Sequence, residues 1–440
     1  MSNIPIPDEV IEALKEATGI KSPGTASIRE IVSLVNRIEQ KTGIPFVRME
    51  MGVPGIPAPA IGTEAEIEAL HKGVASLYPE IAGLRILKNE ASRFIKLFMN
   101  VDISPAGCIP TVGSMMGSMI CFLVANRNDR TKEGSLFIDP GFPVQKQQVK
   151  MLGHEYFSFD VYNYRGKKLR AKLESYLQTG KVSSLLFSNP NNPTWICLND
   201  EELSIIGELC RKYDVIVIED LAYFGMDFRK DYSTPGKPPY QPTVAHYTDD
   251  YVLLISSSKM FSYAGQRIGL MAISDHLYTK SYPDLLRYYT SDKFGHSVIF
   301  GALYALSAGV CHSAQYGLAA LLKAVNNGEY KYRDDVKEYG ERAAVMKELF
   351  KRNNFTITYD TDLDDPIADG FYFTVSYPGM TGRDLLRNLL SYGVSAITLD
   401  ITGSSREGLR ACVSMVRREQ FGDLEERLRK FNEDHPIRKF

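Results

Sequence analysis

Tryptophan occurs once in the chain, at position 195, and histidine only seven times. The six cysteines, at 108, 121, 197, 210, 311 and 412, are scattered and form no CxxC. That spacing argues against a disulfide framework or a zinc site and suits a reducing cytoplasm. Aspartates and histidines show no metal-ligand spacing either, so no metal is expected. No apolar stretch reaches the ~18 residues a membrane-spanning helix needs. The Ala/Gly-rich run at 298–310 is shorter and is expected as a buried helix. The opening MSNIPIPDEVIEAL has no basic region followed by an apolar run, so a signal peptide is not expected. Charge of one sign is also lacking. The formal net charge is −2 and no block of like charges forms a tail, which speaks against nucleic acid as a partner. There is no internal repeat and no low-complexity linker.

What is present suits a globular α/β enzyme. A chain of 440 residues can build two domains, each with its own core. Helices are expected at 8–17 and 26–41, the second with Ser27 as N-cap and Gly43 just past its end. From about 65 onward, helical stretches such as 200–213 alternate with short apolar runs at 135–139, 183–188, 215–219, 252–256 and 269–274. These runs lack polar alternation, as strands buried on both faces should. The alternation predicts an α/β domain with a mainly parallel, helix-flanked sheet. Pro235, Pro238, Pro239 and Pro242 mark 225–250 as a long loop on it. Beyond about 335, a helix at 335–353, strands near 355–359, 370–376 and 408–414 and two further helices read as a smaller α+β domain. The expected division is an N-terminal segment, 1–64, packing with the small domain; a large domain, 65–334; and a small C-terminal domain, 335–440.

Several predicted strands end in chemically capable residues, and ligands of such folds collect at the carboxyl ends of the strands. The strand at 252–256 runs into Ser256, Ser257, Ser258 and Lys259, with Arg267 and Gly269 following. A lysine there can form an imine with an aldehyde cofactor. The hydroxyls and the arginine can hold a phosphate dianion. The strand at 215–219 leads into Asp220 and Tyr223. A buried aspartate beside a pyridine nitrogen would keep that nitrogen protonated, since opposite charges favour each other's ionised form. The strand at 183–188 leads into Asn189-Pro190-Asn191-Asn192-Pro193-Thr194, whose two X-Pro bonds force a rigid turn. Each feature alone has a plain reading: a surface lysine, a capping aspartate, a Pro-rich turn.

Together, NPNNPT, EDLAY and SSSK with its trailing Arg267 and Gly269 occur in the order and spacing of the fold-type I, class I/II aminotransferases. The chain resembles the aspartate and aromatic aminotransferase branches over roughly 45–430. The resemblance implies pyridoxal 5′-phosphate as cofactor and the large domain as its binding domain. It implies that Lys259 carries the cofactor as an imine and, once freed, takes the substrate α-proton and returns it. Asp220 then pairs with the pyridine nitrogen, and Asn192 and Tyr223 hydrogen-bond the ring oxygen. Ser256, Ser258 and Arg267 contact the phosphate, joined by the amides of Ser114 and Met115 where a glycine turn opens a helix. Phe142, in Asp-Pro-Gly-Phe-Pro, matches the aromatic residue that stacks on the ring. Arg410, in Gly-Leu-Arg-Ala-Cys, matches the arginine that binds the substrate α-carboxylate, a role suited to a planar guanidinium. The plain alternative for it is a surface arginine on an edge strand. Tyr78 matches a tyrosine that reaches the phosphate in the partner subunit, which implies a homodimer with shared active sites.

The implied activity is transfer of an amino group from an L-amino acid to a 2-oxo acid, with no membrane or nucleic-acid partner. A carbon–sulfur β-lyase would use the same apparatus, so fold and cofactor leave it open. A PLP-binding regulatory module is disfavoured, because the 45 residues ahead of the match are too few and not basic enough for a DNA-binding domain. One departure stands out. The family has glycine after NPT, whereas this chain has Trp195. Tryptophan does not readily take positive φ, so a different local turn is expected there.

Overall fold

Runs of aliphatic residues without polar alternation can be satisfied only where both sheet faces are covered, and the chain uses them that way. The computed structural model describes residues 5–132 and 134–437. It divides into two units. One gathers the N-terminal residues up to Gly55, Asn192–Ile196 and the residues from Lys337 onward; the other comprises Ile56–Asn191 and Cys197–Val336.

The terminal unit begins with α1 (Asp8–Thr18) and α2 (Ile28–Thr42). Ser27 Oγ accepts from the Glu30 amide at 3.3 Å and the Glu30 carboxylate accepts from the Ser27 amide at 2.7 Å, a reciprocal cap that satisfies two otherwise orphaned donors. Gly43 ends α2 in the left-handed region, at φ 71. The short strand β1 (Val47–Arg48) pairs in parallel with Val394–Ser395. The main sheet of this unit is antiparallel, with Leu409–Cys412 lying between Ile397–Thr398 and Tyr372–Ser376. Arg410 therefore sits on an inner strand and is buried, which overturns the surface, edge-strand alternative.

Trp195 belongs to this unit and corrects the expectation made for it. It does take the left-handed conformation, at φ 66, and is fully buried. Left-handed backbone costs an L-residue roughly 1–2 kcal/mol. Burying a large aromatic ring returns roughly 2–3 kcal/mol, so packing wins. The neighbour that permits this is Gly370, where a Cβ would stand 1.9 Å from the indole Cε2.

The large unit opens with α3 (Ala60–His71) and α4 (Arg85–Met99). Residues 56–64, expected with the N-terminal segment, cluster here instead. The reason is close packing: a Cβ on Gly62 would lie 2.9 Å from Leu321 and 3.0 Å from the Tyr263 ring. The core is a seven-stranded sheet. Its strands are β2 (Cys108–Thr111), β3 (Gly134–Asp139), β4 (Glu155–Asp160), β5 (Val182–Ser188), β6 (Ile216–Leu221), β7 (Tyr251–Ser256) and β8 (Gly269–Ile273), in the order β2-β8-β7-β6-β5-β3-β4. Neighbours from β7 to β4 are parallel, and β8 runs antiparallel to both β7 and β2. Between the strands lie α5 (Gly113–Ala125), α6 (Pro143–Met151), α7 (Lys168–Leu177) and α8 (Asp200–Lys212), and β7 runs straight into the one-turn helix α9 (Ser257–Met260).

The run at 298–310 is not the buried helix expected. Ser297–Leu303 is a π-helical stretch followed by a short α-helical turn, Tyr304–Ser307. Only the face carrying Val298, Ile299, Ala302 and Leu303 is covered, while Phe300, Tyr304 and Leu306 are 45–54% exposed. Apolar composition decided that the run would be helical; it could not say that only one side would find a neighbour. Among the described residues no helix is long and apolar enough to cross a membrane.

Candidate active site

The register of the large sheet assembles one edge. Thr111 at the end of β2 and Ser256 at the end of β7 both pair with Gly269, the first residue of β8. Asp220 near the end of β6 pairs with Ser188 at the end of β5. One edge thus receives the carboxyl ends of β2, β7, β6, β5 and β3 together with the turn that precedes β8.

Lys259 follows β7 directly, half-buried in α9. Ser256 caps that turn, its Oγ accepting from the Ser258 amide at 3.2 Å. Ser257 Oγ donates to the Ile268 carbonyl at 2.5 Å, tying the lysine turn to the segment entering β8. Arg267 is held at φ 51, and its Nη1 donates to the Ala264 carbonyl at 2.8 Å. Across from it α5 opens at Gly113, at φ 66, where a Cβ would stand 2.6 Å from Arg267 Nη2. A Cβ on Gly269 would stand 3.2 Å from the Ser114 amide nitrogen. The first turn of α5, with Ser114 and Met115, therefore abuts the guanidinium and the Ser256 turn. Free helix-start amides, an arginine and serine hydroxyls make an anion cradle. Thr111 Oγ1 is buried beside it with no protein partner among the described residues.

Asp220 is the opposite kind of group. It is buried at the end of β6, where Gln145 Nε2 donates to Oδ2 at 2.8 Å and the Ala222 amide to Oδ1 at 3.1 Å. Burial pushes its carboxyl up to about 6, against the pull of those two donors. No cation pairs with it among the described residues, so a cationic ligand nitrogen would be stabilised here. Tyr223, three residues on, is buried in the turn after β6. Phe142 is half-buried at the N-cap of α6, after the cis Asp139–Pro140 bond. Asn191 Nδ2 donates to the Pro140 carbonyl at 2.8 Å and steadies that turn. Burial likewise pushes Asp139 up to about 6, countered first by its ion pair with Lys146.

Sequence reasoning missed the side chains that brace this edge. Helix α6 carries Gln145 and Gln148 one turn apart, both buried. Gln145 holds Asp220. Gln148 Nε2 donates to the Met115 carbonyl at 2.8 Å, and its Oε1 accepts from Ser118 Oγ at 2.7 Å. One helix face therefore fixes both the buried carboxylate and the first turn of α5. The only signal in the sequence was a pair of glutamines at i, i+3, which face one way on a helix.

Two predicted residues lie in the terminal unit. Asn192 is buried and its bond to Pro193 is cis. Arg410 is 1% exposed, and its Nη2 donates to the Glu50 carbonyl at 2.6 Å. Its guanidinium carbon lies 4.7 Å from the centroid of the Tyr372 ring. Its Nε is buried with no partner, and no carboxylate pairs with it among the described residues. A buried cation without an anion is costly, so the geometry suits an anionic ligand group. Tyr78 is 94% exposed on the loop after α3.

The chain is similar to known proteins over most of its length. The model of the family "Aminotransferase class I and II" matches residues 57–428. A protein named "Probable aspartate aminotransferase" from Methanocaldococcus jannaschii is 25% identical over 334 residues, covering 74% of this chain and 79% of that one. The LL-diaminopimelate aminotransferase of Natranaerobius thermophilus is 25% identical over 345 residues, covering 78% and 79%. The solved structure of aspartate aminotransferase from Thermus thermophilus with maleate has the same fold, with a TM-score of 0.73 at 16% identity, covering 92% of this chain and 96% of that one.

Proposed function

The chain belongs to the class I and II aminotransferases, and from that premise we propose the residues that carry its reaction. It is a pyridoxal 5′-phosphate-dependent aminotransferase, acting on amino acids and 2-oxo acids. When bound, the cofactor supplies an aldehyde and an electron-withdrawing ring.

The residues of the large unit fit that group. The α5 amides of Ser114 and Met115, with Ser256, Ser258 and Arg267, hold the phosphate. Phe142 would cover a ring face. Asp220 would pair with the ring nitrogen, whose positive charge would favour the ionised carboxylate that burial disfavours. Tyr223 would donate to the ring oxygen, a role proposed also for Asn192 of the terminal unit. Lys259 Nζ would be the covalent anchor, and its free amine would take the proton from the substrate Cα and give it up again, as general base and then acid. Arg410 binds the substrate α-carboxylate through two parallel hydrogen bonds. The observation that carries the reading is the pairing of Thr111 and Ser256 with the same Gly269, which sets Lys259, Arg267 and the start of α5 on one edge.

The proposed assembly is a homodimer in which Tyr78 of the partner subunit reaches the phosphate. Supporting it are the exposure of Tyr78 and the exposed apolar residues Leu77, Phe300, Tyr304 and Leu306. The Tyr78 loop is anchored for such a role, since His312 Nδ1 lies 3.1 Å from the Leu77 carbonyl oxygen. The free thiols suit a reducing compartment, and a cytoplasmic location completes the proposal.

Borohydride reduction of the holoenzyme followed by peptide mapping tests the site. The cofactor adduct is expected on Lys259 and absent from Lys259→Ala; an adduct on another lysine would overturn the assignment. A panel of amino donors with a 2-oxo acid acceptor then identifies the substrate. Release of pyruvate and ammonia from a cysteine conjugate without an acceptor would point to β-elimination.

A further inference from the structure

Trp195 is the one residue of the Asn-Pro turn that departs from the family pattern, and its surroundings give it a task. A bulky residue at φ 66 is a backbone outlier, and such outliers persist only where packing over-determines them. The indole is fully buried and fills the space left by Gly370. Its ring meets Tyr372 edge-on, at 6.3 Å between centroids and 64° between planes. Tyr372 is also closed in at its tip, where a Cβ on Gly52 would lie 2.0 Å from its hydroxyl. The Tyr372 ring also carries the Arg410 guanidinium, 4.7 Å from its centroid. Among the described residues Arg410 is tethered at one nitrogen, where Nη2 donates to the Glu50 carbonyl, a bond that does not by itself prevent rotation of the guanidinium plane. The aromatic face restricts that rotation.

We infer that Trp195 is a positioning residue for substrate binding. By wedging Tyr372 against Arg410, it fixes the plane in which the guanidinium presents its donors to the substrate α-carboxylate. The glycine found at this place in the family would leave Tyr372 unsupported on the indole side. The inference rests on the reading of Arg410 as the carboxylate ligand.

The test is a double-mutant cycle on the holoenzyme, with Trp195→Gly, Arg410→Lys and the pair. L-Alanine, L-aspartate and L-phenylalanine serve as donors and 2-oxoglutarate as acceptor, and the donor of highest kcat/KM is followed. Glycine accepts the local φ, so Trp195→Gly removes the wedge without backbone strain. Weakening one charge-assisted bond should raise KM about tenfold while kcat stays within about threefold. Trp195→Phe, which keeps an aromatic wedge, should recover most of the loss. In the Arg410→Lys background, Trp195→Gly should add less than about twofold, because the two residues act through one contact. An unchanged KM in Trp195→Gly, or the same rise in both backgrounds, overturns the inference. An unchanged KM in Arg410→Lys instead sinks the reading of Arg410.

A second readout is independent of turnover. Trp195 is the only tryptophan, so tryptophan emission reports this stack alone. Saturating donor should shift the emission of the wild type and not of Arg410→Lys. No shift in the wild type overturns the inference even if Trp195→Gly fails to fold.

Discussion

Gln145 Nε2 donates to Asp220 Oδ2 at 2.8 Å, and both side chains are buried. The amide is neutral at every working pH, so it can favour the ionised carboxylate without adding a charge that would compete with a ring nitrogen for it. Removing it leaves Asp220 with the Ala222 amide as its remaining donor among the described contacts.

Gln145→Leu is therefore expected to weaken cofactor binding. A hydrogen bond to a charged group contributes about 1.5–3 kcal/mol, which corresponds to roughly a ten- to hundredfold rise in the Kd for pyridoxal phosphate. Gln145→Glu should be worse at pH 8 and partly relieved at lower pH, since two facing carboxylates disfavour each other's charge. Equilibrium titration of the apoprotein reads both; a wild-type Kd in Gln145→Leu would deny Gln145 this role.

Asp220 should make the apoprotein's stability pH-dependent. Its folded value is pushed up to about 6 from an ordinary 3.8, so the folded state holds this proton more tightly than the unfolded state. The contribution is full below pH 3.8 and is lost as pH rises through about 6. Apo Asp220→Asn should thus gain stability over the wild type by at most about 3 kcal/mol at pH 7.5 and by little at pH 4. Denaturant melts of both apoproteins at the two pH values measure this. In the same variant cofactor affinity should fall, because the counter-charge for the ring nitrogen is gone.

Gly113→Ala should injure the phosphate cradle selectively. The residue sits at φ 66, and its new methyl would stand 2.6 Å from Arg267 Nη2. The conformational cost is roughly 1 kcal/mol, and displacement of the guanidinium adds the loss of a charge-assisted contact. Binding of pyridoxal phosphate should weaken about tenfold or more, while pyridoxal, lacking the phosphate, should bind as before. Equal weakening of both ligands would show that the turn acts on the fold rather than on the anion.

Shared sites predict complementation between inactive subunits. Lys259→Ala and Tyr78→Ala proteins, each impaired alone, should recover activity when mixed and allowed to exchange. Random pairing in a symmetric dimer restores about a quarter of the sites. No recovery, in a sample shown by light scattering to exchange, would place Tyr78 outside the partner's site.

Much of this was legible in the chain. Lys259, Asp220 and Arg267 stand at or near the ends of apolar runs whose character is local, so a few consecutive residues announce the strand, and the motifs taken together suggest the chemistry. Ser27 and Gly43 bounded α2 for the same reason. The strands β2 and β4 were not read, since Cys108–Thr111 contains a proline and Glu155–Asp160 opens on charge and is only partly buried. The glutamines of α6 gave no warning, because a polar residue on a helix ordinarily faces water. Nothing in Val298, Ile299 and their neighbours said which side would stay bare.

The sequence by itself determined the alternation of elements and where a lysine, an acid and an arginine follow the apolar runs at Lys259, Asp220 and Arg267; the tasks proposed for them, and for Arg410, came from the resemblance of the motifs taken together. The positions are a matter of residue type and of spacing within a few residues. Tertiary structure alone decided that Thr111 and Ser256 share Gly269, that Gln145 secures Asp220, and that Trp195 bears on Arg410 through Tyr372. Those are contacts between residues far apart in the chain. They exist because strand register and core packing choose among neighbours that no local pattern can name, and at Trp195 that choice was strong enough to override the backbone preference of the residue itself.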